Sequence, residues 1–259
     1  MMIHLFALSY AATSQVSLVD PVQEKNVYAK RAVLQFGVFN KSVKPQRMSA
    51  TLKTLMPGDQ VGFYTHDKVI NQKAFDKFLI RQPKVRISPR KIIVAPKQMR
   101  IFRVAVNLKD AETGTYFGNL LVQQIPLKPL TISDSQDNKS KGLKVQLNIL
   151  FDQYGAFYLN KGKGNPFDPP QGQVPVKIKC TADKQKKNIT MHIHNNTSYA
   201  FRAEAIVEAI SDKLYKIITV LPYTEGIRKI AVPITEKEKL PLQLKFLIGN
   251  KRVASVMCQ

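Results

Sequence analysis

Cysteine is scarce in this sequence, which contains two, Cys180 and Cys258, among 259 residues. They form no CxxC pair and no zinc-binding spacing, so the common cysteine-based metal and redox motifs are excluded. Two arrangements stay open for these residues. Either they pair in an oxidising compartment and close a long loop, or they remain two free thiols.

Motifs of catalysis are also missing. The sequence has no GxSxG, no HExxH and no phosphate-binding loop. His192 and His194 would share one face of a strand, a spacing that can bind metal, but without a neighbouring Cys or carboxylate they are interpreted as a solvated pair. We therefore expect a protein that is not an enzyme and that has no cofactor and no metal site.

Acidic residues are few, since 18 Asp and Glu stand against 40 Lys and Arg, which gives a formal net charge of +22. Such a field attracts nucleic acid, anionic membranes or acidic proteins. The cations are dispersed, mostly on alternating positions, and form no cluster of the kind that binds nucleic acid. We expect a diffusely basic surface and no nucleic-acid partner.

Long apolar runs are absent as well. No segment approaches the roughly 20 apolar residues that a membrane-spanning helix needs, so no stable membrane insertion is expected. The first 13 residues, MMIHLFALSYAAT, resemble the end of a secretory signal peptide, although they lack its basic n-region. They are interpreted as a signal-peptide remnant, the alternatives being an ordinary N-terminal strand or a start codon placed too far downstream.

Short runs in which apolar and polar residues alternate recur along the chain, and this period is typical of strands. Gly, Pro, Asn and Asp separate the runs, which favours an antiparallel all-β chain of sandwich type. The segment Ala200–Lys216 fits a helix or a strand, and its neighbours favour strand. The predicted strands are Ala32–Phe39, Arg47–Leu55, Lys91–Ala95, Arg100–Leu108, Thr115–Ile125 and Gly142–Leu150.

An internal repeat predicts two similar domains. The segment from Ala32 aligns with the segment from Lys187, and each reads as strand, Asn-containing turn, strand. A second aligned pair follows in the same order, which favours duplication of one sandwich domain. A Gly- and Pro-rich stretch between the copies places the boundary near Gly164. The aligned residues include Asn40 with Asn195, Ser42 with Thr197, Pro96 with Pro222, and Arg103 with Lys229.

The stretch GLKVQLNIL raises a specific question. Its apolar residues alternate with polar ones, and a polar run, Ile132–Lys141, precedes it. The apolar side chains either face the core of their own domain or belong to a strand that is kept for another chain. The residues concerned are Leu143, Val145, Leu147 and Ile149.

The segment Val85–Pro126 resembles the core of the periplasmic pilus-assembly chaperones of the chaperone-usher pathway, the PapD-like family. In that family a strand with the pattern SPR-x-x-x-x-x-P is followed by a basic and apolar strand, a short acidic loop and G-x-Y-x-x-x-L-x-x-x-x-IP. The matching residues are Ser88, Pro89, Arg90, Pro96, Gly114, Tyr116, Leu120, Ile125 and Pro126.

The resemblance implies two immunoglobulin-like β-sandwich domains set at an angle, here residues 14–163 and 164–259. It also implies that Leu143, Val145, Leu147 and Ile149 form a donor strand, which completes a pilus or fimbrial subunit that lacks one. The partners would be that subunit and an outer-membrane usher, and the compartment would be the periplasm.

One feature of the family is missing. Its members carry an Arg early in the first strand and a Lys late in the donor strand, which anchor the carboxylate at the subunit's C-terminus. This chain has Gln23 at the first place and Gln153 or Gly155 at the second. Lys25 and Lys161 are the nearest substitutes and become the candidate anchor.

Two other functions remain as alternatives. A structural or adhesive cell-surface protein built from immunoglobulin-like domains would use the same strands, with every edge satisfied internally. A basic nucleic-acid-binding β protein would show affinity that falls steeply with salt.

Overall fold

The structure is a computed structural model. It describes residues 16–57, 67–126, 151–162, 175–183, 185, 187–207, 214–232, 241–248 and 251–259.

The first sandwich is made of two sheets. One is antiparallel with the order β1–β3–β8–β6, and the other has the order β2–β10–β9–β4–β7. The first sheet contains β1 (Val16–Val19), β3 (Arg31–Asn40), β6 (Val85–Ser88) and β8 (Met99–Asn107). The second contains β2 (Val22–Val27), β4 (Gln46–Lys53), β7 (Lys91–Val94), β9 (Gly114–Ile125) and β10 (Asp152–Lys161).

The inward residues of these strands form the first core. Every second residue of β3 is buried, as the alternating pattern of its sequence predicts. Phe36 of one sheet meets Phe157 of the other edge-on, with ring centroids 6.3 Å apart. Phe36, Phe102, Phe157 and Leu120 are fully buried, and each such side chain stabilises the fold by about 1.5–3 kcal/mol.

The second sandwich also has two sheets. Their orders are β11–β12–β15–β5 and β14–β13–β16–β17. The strands of the first of these sheets are β5 (Asp67–Val69), β11 (Val176–Asp183), β12 (Asn188–Asn195) and β15 (Thr224–Ala231). Those of the other are β13 (Phe201–Val207), β14 (Leu214–Val220), β16 (Leu242–Ile248) and β17 (Lys251–Cys258). In the segment Ala200–Lys216, the described residues 201–207 and 214–216 are therefore in strands, as favoured, and the helical alternative is wrong for them.

A disulfide joins the two sheets of the second sandwich. Cys180 of β11 and Cys258 of β17 are bonded, with a sequence separation of 78 residues. A loop of this length stabilises a fold by about 4 kcal/mol in the chain-entropy treatment.

The ladders of the two sandwiches match in register. In the first, Gln35 of β3 lies opposite Arg103 of β8. In the second, Thr190 of β12 lies opposite Lys229 of β15. These are the pairs that the sequence repeat aligns, so the two aligned segments occupy equivalent places in two similar domains.

The turn after β3 is built around Asn40. This side chain is fully buried, and its Nδ2 donates to the carbonyls of Lys44 (2.8 Å) and Val94 (2.9 Å). Its Oδ1 accepts from the backbone N and from the hydroxyl of Ser42. The amide thus replaces strand hydrogen bonds where the chain reverses.

The turn after β12 repeats this arrangement atom for atom. Asn195 Nδ2 donates to the carbonyls of Tyr199 (2.8 Å) and Val220 (3.3 Å). Its Oδ1 accepts from the backbone N and the hydroxyl of Thr197. Asn40 and Asn195 each begin an N-x-S/T triplet, the pattern of a glycosylation acceptor. Because their buried amide nitrogens are already hydrogen-bonded, these two asparagines stabilise turns instead.

A segment of the first half joins the two sandwiches, and the sequence did not predict it. Strand β5 extends the second sandwich by pairing with β15. Just after it comes helix α1 (Gln72–Phe78), whose N-cap is Asn71; the side chain of Asn71 accepts a hydrogen bond from Ala74 N. The helix packs on the first sandwich, where the ring centroids of Phe75 and Phe117 lie 5.2 Å apart. The expected boundary near Gly164 lies outside the described residues.

Two contacts hold this segment against the second sandwich. Asp67, whose side chain is fully buried, accepts a forked pair of hydrogen bonds from Arg228 at 2.5 and 2.9 Å. The ring of Phe78 stacks on Tyr223 at 6.0 Å. Gly114 permits the close approach, since a Cβ there would lie 2.3 Å from Phe78 and 2.5 Å from the Ser198 carbonyl.

Candidate functional site

The site lies along one edge of the first sandwich, where the N-terminal strand changes sheets. Strand β1 ends at Val19, Asp20 adopts a positive φ of 50°, and the chain continues as β2 in the other sheet. There β2 runs parallel to β10, and Ala156 N donates to Pro21 O at 2.7 Å. Because β2 pairs only with residues 156–161 of β10, one end of this edge is covered by a neighbouring strand and the other end is not.

The first part of β10 has a strand on one side only. Residues 152–155 pair with β9, and among the described residues no strand pairs with their other side. The side chain of Gln153 occupies part of this gap, since its amide donates to Val16 O and accepts from Leu18 N. We call this the half-open edge of β10, and in the sequence it directly follows the predicted donor strand.

The predicted donor residues lie outside the described residues. Leu143, Val145, Leu147 and Ile149 fall within residues 127–150, between the described ranges that end at 126 and begin at 151. What the structure describes is the strand they lead into, which begins with Asp152 opposite Gln123 of β9.

Gln23, at the expected place of the missing Arg, and the nearby Lys25 both extend from β2 to hydrogen-bond with β3 of the other sheet. Gln23 donates to the Gln35 carbonyl, and Lys25 donates to the Val33 carbonyl at 3.4 Å. Both acceptors lie on β3 beyond the end of its pairing with β1. These side chains therefore satisfy backbone groups that the change of sheets leaves open.

The second candidate of the anchor, Lys161, lies near the other end of β2. Its ammonium donates to the Ala29 carbonyl at 3.1 Å, and its Cα is in register with Val27, whereas Lys25 is in register with Leu159. The two lysines thus lie on adjacent strands, each with its own carbonyl acceptor.

A chain of hydrogen bonds crosses from one sandwich to the other beside these lysines. Ala200 N donates to Thr115 Oγ1 (2.9 Å), whose hydroxyl donates to Asn160 Oδ1 (2.7 Å). Asn160 Nδ2 donates to Glu24 Oε1 (2.9 Å) and to Asn26 Oδ1 (3.2 Å). Thr115 and Asn160 are buried, so the chain fixes both side chains.

Arg202 closes this chain from the second sandwich. Its Nη1 lies 2.6 Å from Glu24 Oε2, and its guanidinium lies 6.0 Å from the centre of the Tyr158 ring. No local pattern in the sequence indicates this pair, because its partners are separated by 178 positions. Arg202 is thus a cation at the contact between the two sandwiches that was not among the predicted site residues.

Two buried tyrosines lie at the same junction. Burial raises the pKa of Tyr199 and that of Tyr116, and the nearby Glu112 raises the latter further. Both phenols therefore stay protonated and donate, Tyr199 to the Lys161 carbonyl (3.4 Å) and Tyr116 to the Glu112 carbonyl (3.2 Å).

The two histidines lie in the second sandwich, on the outer face of β12. His192 is in register with Lys179 and Ile227, and His194 with Lys177 and Glu225. Within the described ranges no group of three or more His, Cys, Asp or Glu side chains is placed to hold a metal ion. In the same part of the chain, no helix has the length and apolar character needed to cross a membrane.

Comparisons with known proteins give likeness of structure only. No protein-family model matches the chain, and no curated protein matches it. The YadV chaperone is similar over 94% of this chain and 99% of its own, with 13% identity and a TM-score of 0.51. The chain has the PapD-like chaperone fold.

Two further solved structures are similar at lower TM-scores. The CupB2 chaperone of Pseudomonas aeruginosa covers 93% of this chain and 97% of its own, at 11% identity and a TM-score of 0.47. The Salmonella enterica SafA pilin in complex with the SafB chaperone matches over 93% of this chain and 94% of that one, at 11% identity and a TM-score of 0.46.

The PapD-like fold confirms the fold class that the sequence resemblance implied, two immunoglobulin-like β domains. In this fold the change of sheets by the N-terminal strand leaves one part of β10 covered and another part open.

Proposed function

We propose that this protein is a periplasmic chaperone that stabilises pilus or fimbrial subunits by donor-strand complementation and delivers them to an outer-membrane usher. The single observation that carries the proposal is the half-open edge of β10, which follows directly on the alternating segment of Leu143, Val145, Leu147 and Ile149. The chaperones of similar structure support it, and such a protein makes and breaks no covalent bond.

The physical reason lies in what an incomplete subunit exposes. A sandwich that lacks a strand presents an apolar groove and unpaired backbone groups, both of which lead to aggregation. A donor strand completes the ladder, and each apolar side chain that it buries contributes about 1.5–3 kcal/mol.

The anchor for the subunit's C-terminal carboxylate remains part of the proposal. Lys25 and Lys161 have ammonium groups within reach of the covered end of the edge, each now bonded to a carbonyl of the chain. If the carboxylate of a subunit bound here, each ammonium group would exchange a neutral carbonyl acceptor for a charged one, which makes a stronger hydrogen bond.

The experiment is co-expression with the candidate subunit from the same locus in a bacterial periplasm. Wild type should recover soluble one-to-one complex. The variant Val145→Asp plus Leu147→Asp should fold and recover none, because two carboxylates cannot enter an apolar groove without a large desolvation cost.

A matched control uses the other face of the same strand. Gln146→Asp plus Asn148→Asp adds the same charge and should keep the complex. If instead the first variant fails to fold on its own, its side chains belong to the core, and the cell-surface alternative is favoured.

A further inference from the structure

The outer face of the sheet β1–β3–β8–β6 exposes aliphatic side chains where solvent-facing strand positions are usually polar. Val33 is 43% exposed, Met99 52%, Ile101 37% and Val19 36%. Three arginines, Arg31, Arg86 and Arg103, are exposed on the same face. We call these seven residues the arginine–aliphatic face.

The central aliphatic side chains form one continuous patch. Ile101 lies directly opposite Gly37, and so does Val19 on the neighbouring strand. A Cβ on Gly37 would lie 3.0 Å from the sulfur of Met99 and 3.3 Å from Val19 Cβ. Val19, Met99 and Ile101 thus meet over the glycine.

None of the acidic side chains that the structure describes pairs with these arginines. None of the ion pairs between described residues includes Arg31, Arg86 or Arg103. No outward position of β1, β3, β6 or β8 is acidic. The charged side chains at the outward positions of these strands are therefore all cationic, and the face is also partly apolar.

The second sandwich shows that the fold does not require this composition. Equivalent ladder positions of β12 and β15 carry polar residues: Asn188 stands where the first sandwich has Val33, and Glu225 where it has Met99. Ile227 and Lys229 remain at the places of Ile101 and Arg103. Two domains with the same register thus differ in the outer face that they present.

We propose that the arginine–aliphatic face docks a folded protein whose surface presents aliphatic side chains among Asp and Glu carboxylates. Arginine and methionine are enriched at protein interfaces, and three unpaired arginines select an acidic partner. A second copy of this chain is disfavoured, since each copy carries +22. The face lies on the sheet opposite the one that contains β10.

A photoreactive phenylalanine analogue at position 101 tests the proposal in the full-length protein, in the cells that make it. The analogue at position 227 is the matched control. We expect one dominant protein adduct from position 101 and none from 227. Arg103→Glu should lower the adduct yield roughly tenfold, the loss of one strong interfacial arginine, whereas Lys229→Glu, with the same charge change, should not.

The partner's acidity is tested by rescue. Changing an Asp or Glu of the cross-linked partner peptide to Lys should restore the adduct with Arg103→Glu. Arg86→Glu replaces Arg103→Glu if the latter does not fold like wild type. The proposal would be overturned by equal adducts from both positions, by no adduct, or by an adduct that does not respond to charge reversal. It would also be overturned if the only adduct were with lipid, with a second copy of the chain or with the pilus subunit. Subunit recovery in the same strains reports separately on the chaperone function.

Discussion

At the scale of single residues, the two turn asparagines explain why a repeat survives in the sequence. Asn40 and Asn195 each satisfy two or more backbone carbonyls from inside the protein. A buried carbonyl without a donor costs about 1–3 kcal/mol, so few side chains can replace this amide. Their neighbours on the strands need only be apolar and vary between the copies.

Replacing Asn40 by Ala should therefore destabilise the protein by about 2–4 kcal/mol, since it removes the donor from two carbonyls at once. The measurement is urea unfolding. Asn196→Ala, at an exposed position beside the equivalent turn, is the control and should change stability by less than about 0.5 kcal/mol. Equal effects would mean that the buried amide is not what stabilises the turn.

At the scale of elements, the strands were predictable where their pattern is local. The predicted strand Arg100–Leu108 corresponds to β8, and Thr115–Ile125 to β9, with ends shifted by one residue at most. Strand β5 was missed because it has three residues and its partner, β15, is far along the chain. Helix α1 was missed because seven residues are too few to show a helical period.

The candidate site, too, could be predicted only where its residues form a local pattern in the sequence. The alternating segment at Leu143 and its neighbours is visible in the sequence, as is the absence of the expected Arg and Lys. The contacts of Glu24 with Arg202 and of Gln153 with β1 depend on which strands become neighbours. No local pattern encodes that.

The segment with β5 and α1 should connect the stability of the two sandwiches. Asp67→Ala removes one partner of a buried ion pair and should cost about 3–5 kcal/mol. Asp76→Ala breaks the exposed pair with Arg81 and should cost less than about 1 kcal/mol. Urea unfolding of both variants distinguishes these cases. Equal losses would show that the Asp67–Arg228 pair contributes no more than a surface contact.

At the scale of the whole molecule, the chain contains two similar sandwiches whose outer faces differ. The second copy carries the disulfide, while the first carries the half-open edge of β10 and the arginine–aliphatic face. These two surfaces lie on opposite sheets of one sandwich. The second sandwich is bound to the first by β5, α1 and the chain of hydrogen bonds through Thr115, Asn160, Glu24 and Arg202.

The most direct measurement is amide hydrogen exchange across residues 143–149, in the free protein and in its one-to-one complex with the subunit. We expect alternate amides to exchange readily in the free protein and to slow by more than about tenfold in the complex, because their hydrogen bonds come from the subunit. Protection of the same amides to the same degree in both states would contradict this, since the strand would then be fully paired within its own fold.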